Sequence, residues 1–93
     1  MDALNQALER ASLILAGKLG PDKWIYRLVS RLRVGCSIEI RLTPNHGFVV
    51  WWVARRHDGE IIFQTREPVA IQVTFECALA RAQQQLPGAW RDV

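Results

Sequence analysis

Cys36-Ser37-Ile38-Glu39-Ile40-Arg41-Leu42-Thr43 alternates apolar and polar residues without a break, the pattern of a strand with one face buried. Pro44-Asn45-His46-Gly47 punctuates the run. Phe48-Val49-Val50-Trp51-Trp52-Val53-Ala54 follows, apolar on both faces of an extended chain. Arg55-Arg56-His57-Asp58-Gly59 then turns the chain, and Glu60-Ile61-Ile62-Phe63-Gln64-Thr65 returns it. Asp-Gly between apolar runs is a strong hairpin signal, because both residues tolerate positive φ. Residues 34–66 therefore predict a three-stranded antiparallel meander. The two tryptophans of its central strand are neighbours, so their side chains point to opposite faces.

Helices are predicted on either side of this meander. Asp2 is a good N-cap for a helix running to about Ala16, with Leu4, Leu8, Ala11 and Leu15 at helical spacing. Gly17-Lys18-Leu19-Gly20 breaks it, and Pro21 suits the first position of a second helix. There Ile25, Leu28, Val29 and Leu32 form an i, i+3, i+4, i+7 stripe, and Gly35 provides the exit. A last helix carries Phe75, Ala78, Leu79, Ala82 and Leu86 on one face and ends at Pro87-Gly88. It is expected to start at Ala70 or Thr74; the alternation of Val69, Ile71, Val73 and Phe75 offers a short fourth strand as the alternative. Ala89 to Val93 reads as a tail. The expected fold is a single α+β domain over residues 1–93: two N-terminal helices, a three-stranded antiparallel β-meander and a C-terminal helix. The doubly apolar central strand needs either helices on both faces or an exposed patch used by a partner or a second copy. A homodimer through the sheet is one form of the latter.

Ninety-three residues suffice for one hydrophobic core but leave little room for a second. With 49% hydrophobic and 23% charged residues the chain has the composition of a folded domain, not of a disordered one. No apolar run approaches the roughly 18 residues of a membrane span, and the start lacks the basic and apolar regions of a signal peptide. A cytoplasmic location is the resulting expectation. Cys36 and Cys77 fall on predicted core faces, as small buried hydrophobes; a disulfide between them would require export. The net charge of +3 suits nucleic acid and an acidic protein surface equally, and does not choose between them.

Two basic clusters stand out. Lys18, Lys23, Arg27, Arg31 and Arg33 surround the single acid Asp22. Lys23, Arg27 and Arg31, spaced by four, line one face of the predicted second helix, flanked by Trp24 and Tyr26. Such a stripe can neutralise phosphates or an acidic surface, or can simply be a solvated face. At the hairpin end Arg55 and Arg56, beside His57, can grip carboxylates or phosphates bidentately, or can blunt an exposed strand end. One of Trp51 and Trp52 is expected in the core; the other is a candidate binding anchor. His46 and His57 sit in turns, and no nucleophile–base–orienter set is apparent. The cysteines and histidines are isolated singles without zinc-site spacing. No catalytic, metal-ligating or cofactor-binding residue is therefore assigned. The sequence predicts a non-enzymatic binding module that meets a partner protein's acidic surface through Lys23, Arg27, Arg31, Arg55, Arg56 and Trp51 or Trp52. Direct binding of RNA or DNA by the same residues is the alternative.

Two resemblances add expectations. Residues 36–86, read as β-β-β-α behind a helix, resemble the double-stranded-RNA-binding domain in order of elements. Pro44-Asn45-His46-Gly47-Phe48 resembles the loop with which that family enters a minor groove. The family's lysine-rich helix start falls where this chain has Val69-Ala70-Ile71-Gln72-Val73-Thr74, so its phosphate clamp is missing and the function is not carried over. The Asp-Gly hairpin followed by Cys77-Ala78-Leu79-Ala80-Arg81-Ala82 is similar to short accessory proteins of phages and other mobile elements, anti-CRISPR proteins among them. That similarity, over roughly residues 48–86, implies a protein that blocks a nucleic-acid-handling machine of a host by binding.

Overall fold

The elements run α1 (Ala3–Leu15), β1 (Tyr26–Ser30), β2 (Cys36–Thr43), β3 (Gly47–Arg55), β4 (Ile61–Gln64), β5 (Ala70–Gln72), α2 (Phe75–Gln83) and β6 (Trp90–Asp92). The structure, a computed structural model, describes residues 2–20, 23–30, 35–43 and 45–85, and the backbone alone of 90–92. All strand pairs are antiparallel, in the order β4-β3-β2-β1-β6. β5 also pairs with β3, so β4 and β5 lie end to end along the edge that β2 leaves free.

The predicted meander is present as β2, β3 and β4. Ile38 lies opposite Trp52, Glu39 opposite Trp51 and Ile40 opposite Val50, so the alternation of β2 sorts every row of the sheet into one of two faces. The β3–β4 loop is one residue longer than a two-residue hairpin turn. Gly59 N–H donates to Arg56 O and Arg56 N–H to Glu60 O, and Gly59 alone takes positive φ (92°), which makes a three-residue loop closed by a left-handed glycine. At the β2–β3 turn Gly47 has φ 81°, and a Cβ there would stand 2.7 Å from Gln72 O. Only glycine lets β5 approach β3 at that point.

One face of the sheet is covered by both helices. Tyr26, Leu28, Ile38, Ile40, Val50 and Ala70 meet Ala7 of α1 and Phe75, Ala78 and Ala82 of α2 in a single cluster. The Phe75 ring stands edge-on to Tyr26 and Phe48, with centroids 5.9 and 6.2 Å apart. Each fully buried Ile or Val here contributes about 1.5–3 kcal/mol. Thr74 caps α2, its hydroxyl accepting from Cys77 N–H at 3.2 Å, and Asp2 caps α1 by accepting from Asn5 N–H at 2.8 Å. No described helix is long and apolar enough to cross a membrane.

The expected two N-terminal helices and three-stranded meander are corrected, among the described residues, to one N-terminal helix, one C-terminal helix and a larger sheet. Within the segment expected to form the second helix, Tyr26–Ser30 is instead β1; Pro21, Arg31, Leu32 and Arg33 lie outside the described residues. Ile25, Leu28 and Val29 fit a helical stripe, but Tyr26, Leu28 and Ser30 are the buried positions, a two-residue period. Pairing of β1 with β2, Tyr26 opposite Ile40 and Leu28 opposite Ile38, decides between them, and the aromatic and β-branched residues suit a strand. The fourth-strand alternative holds for Ala70–Gln72, and α2 starts after Thr74. The tail is a strand in part: Trp90–Asp92 pairs with β1. The apolar face of α1 is also corrected. Ala3, Ala7, Ala11 and Ile14 face the core, while Leu8 and Leu15 are 57% and 78% exposed; small alanines let the helix axis approach the sheet. Cys77 is exposed on α2 and Cys36 is half-buried, neither a core residue. Leu86, Pro87 and Gly88 lie outside the described residues.

Candidate functional site

The other face of the sheet carries no described helix, and its chemistry follows from the odd positions of the same strands. Ser37, Glu39 and Arg41 of β2 lie beside Val49, Trp51, Val53 and Arg55 of β3 and Arg27 and Val29 of β1. Glu39, in the central row between Arg27 and Trp51, is 0% exposed. A carboxylate is buried only when its oxygens are satisfied, and here two arginines do it. Arg41 Nη2 and Nε donate to Oε1 at 3.0 and 3.2 Å, and Arg55 Nη2 donates to the same oxygen at 2.9 Å. Arg55 Nε donates to Oε2 at 2.5 Å, and its Nη1 donates to Gly59 O at 2.7 Å. Arg55 thus ties the centre of the sheet to the hairpin loop. Val53, between Trp51 and Arg55 on the same strand face, is only 1% exposed.

Aromatic rings complete this layer. Trp24, just before β1, carries the guanidinium of Arg27 at 4.0 Å and that of Arg10 at 4.4 Å, with Arg55 at 5.1 Å. Arg41 lies 5.7 Å from the Trp51 ring. Arg10 reaches over from α1 and its Nε donates to Trp24 O at 2.7 Å. Arg27 Nε is buried with no hydrogen-bond partner. Burial holds the Arg10 and Arg27 guanidiniums below their usual pKa; Glu39 pulls the other way, while Arg55 pushes both lower, as Arg10 does Arg27. Four guanidiniums therefore converge on one carboxylate, and only two of them are bonded to it.

A groove of about 640 Å³ opens beside this cluster, between Trp24, Arg27 and Val29 on one wall and Arg55 to Gly59 on the other, with Gly35 to Ser37 as its floor. Its volume lies within the range of roughly 300–1,000 Å³ typical of ligand clefts. Among the described residues no cluster of histidine, cysteine, aspartate and glutamate could hold a metal ion.

The structure brings three of the candidate residues together in this groove: Arg27, Arg55 and Arg56. They do so on a strand and a hairpin, since Arg27 lies on β1 and not on the expected helix. Lys23 precedes β1 and does not line the groove; Arg31 lies outside the described residues. Arg55 is 7% exposed and bonded inward, whereas Arg56 is exposed and pairs with Glu60 and, at 3.7 Å, with Asp58. Trp51 belongs to the open face and Trp52 packs against the helix-covered core, the division expected of neighbours on a strand. Arg10, Glu39 and Arg41 are site residues the sequence reading did not single out. A Glu-x-Arg pair on one strand face was the available signal, but its meaning depends on which strands flank it. No protein-family model matches the chain, and no curated protein or solved structure shows significant similarity to it.

Proposed function

We propose that the chain is a non-enzymatic binding module, an accessory or inhibitory factor that takes an extended acidic segment of a partner protein into the groove between Trp24, Arg27 and the hairpin end. The observation that carries this reading is that Arg27 and Arg56 line one groove beside the apolar Trp24 and Val29, while Arg55 is held inward by Glu39. A carboxylate gains from a guanidinium held in place, because little rotamer freedom is lost on binding. Arg27 is so held, stacked on Trp24 and free of any carboxylate partner among the described residues. The apolar wall takes the aliphatic part of an incoming side chain, and charge complementarity steers the encounter.

Binding of RNA or DNA is favoured by one feature, the continuity of the basic surface from Arg27 to Arg56. Two features weigh against it. The Trp24 ring already carries two guanidiniums and is not free to stack on a base. Arg41 and Arg55 are engaged with Glu39 rather than available to phosphates.

The test is a titration of the protein with a labelled peptide alternating Glu and Val, and in parallel with labelled single-stranded RNA and DNA, at low and moderate salt. The peptide is expected to bind, to weaken with salt, and to lose affinity in Arg27→Ala and Arg56→Ala. Tighter binding of an oligonucleotide, with the steeper salt dependence of phosphate contacts, would replace this reading by the nucleic-acid one. Failure of both ligands at low salt rejects both.

A further inference from the structure

A second concavity, about 260 Å³, shares Trp24 and Arg27 with the groove but is closed by Gln6 and Arg10 of α1, with Ile25 and Tyr26 completing it. We infer that this pocket between α1 and the start of β1 is a separate site for one compact oxyanion, a phosphate or a carboxylate, gripped by Arg10 and Arg27.

Three observations carry the inference. First, the pocket is lined by two guanidiniums that flank one indole ring at 4.4 and 4.0 Å. Arg10 lowers the preference of Arg27 for charge, and an anion in the pocket that both line is attracted to both. Second, among the described residues the carboxylate that acts on both arginines is already committed: Glu39 accepts four hydrogen bonds from Arg41 and Arg55. Among the described residues neither Arg10 nor Arg27 forms an ion pair with a carboxylate. An oxyanion in this pocket offsets the positive charge of both arginines that line it. Third, the volume falls below the roughly 300 Å³ at which clefts for drug-sized ligands begin, so the occupant is small. Arg10 on α1 and Arg27 on β1 are carried by secondary structure, and the Arg10 side chain is anchored through Nε to Trp24 O, which preorganises the site.

The site shares Trp24 and Arg27 with the groove of the proposed function but not Arg56 or the hairpin, so Arg56→Ala separates the two readings. The experiment is an NMR titration of the nitrogen-labelled wild-type protein with inorganic phosphate and, separately, with malonate, against sodium chloride at matched ionic strength. The Trp24 indole N–H and the Nε–H signals of Arg10 and Arg27 are expected to move saturably, while that of Arg41 stays in place. Arg10→Gln removes one charge from a half-exposed side chain and is expected to weaken the anion about ten-fold, the loss of one charge-assisted hydrogen bond. Arg56→Ala, which impairs the groove, is expected to leave the titration unchanged. Saturation by phosphate alone identifies a tetrahedral oxyanion, by malonate alone a carboxylate, and by both their shared chemistry. Absence of saturable shifts with either anion, equal shifts with chloride, or an unaltered affinity in Arg10→Gln would overturn the assignment.

Discussion

The two faces of the sheet are built from the same strands and sealed by opposite means. On one, Ile38, Ile40 and Val50 are closed off from water by α1 and α2. On the other, Glu39 and Val53 are as fully buried, yet what covers them is a layer of arginine side chains and indole rings. Guanidiniums can do this because they stack flat on aromatic faces and because their aliphatic stems cover apolar surface. The difference matters for function. Two helices seal a face permanently, whereas a layer of charged side chains seals it while still presenting positive charge to a partner.

The largest expected effect breaks the second face. Glu39→Ala leaves Arg41 and Arg55 as buried charges without their partner and is expected to destabilise the fold by about 3–5 kcal/mol in urea denaturation. Replacing Glu39, Arg41 and Arg55 together by leucine or methionine is expected to recover most of that loss while weakening the acidic-peptide interaction. A small effect of Glu39→Ala alone would mean that the ionic layer does not seal this face. Ile40→Ala, the matching change on the helix-covered side, is expected to cost about 2–5 kcal/mol through the cavity it leaves, with no effect on anion or peptide binding. Equal effects of Ile40→Ala on binding would show that the two faces are not separable.

Smaller changes sharpen the comparison. Gly47→Ala sets a Cβ against Gln72 O in a left-handed backbone, and a loss above about 1 kcal/mol is expected; thermal melting measures it. Thr74→Ala removes the α2 cap and should destabilise by about 1 kcal/mol, seen as amide exchange rising first at Cys77. Arg56→Ala breaks only exposed ion pairs and is expected to change stability by less than about 1 kcal/mol. Its effect should appear in peptide affinity instead, in contrast to Arg55, whose side chain serves stability first.

Much of this architecture is written in local pattern. The strict alternation of residues 36–43 determined β2 and its two faces, the Asp58-Gly59 pair determined the hairpin, and Asp2 and Thr74 are capping residues where the helices begin. Each signal is local, and the residues that carry it need only their near neighbours. Tertiary structure decided the rest. Residues 25–29 satisfy a helical and an extended period alike, and only the open edge of β2 favours the strand. The leucines of α1 look like a core face until the sheet selects the alanines for their close approach. Most of all, Glu39 and Arg41 read as solvent-facing polar residues in any single strand. They became the centre of a buried ionic layer because β1 and β3 placed Arg27, Trp51 and Arg55 around them. A charge's surroundings are set by pairing across distances in sequence, and no local pattern encodes that.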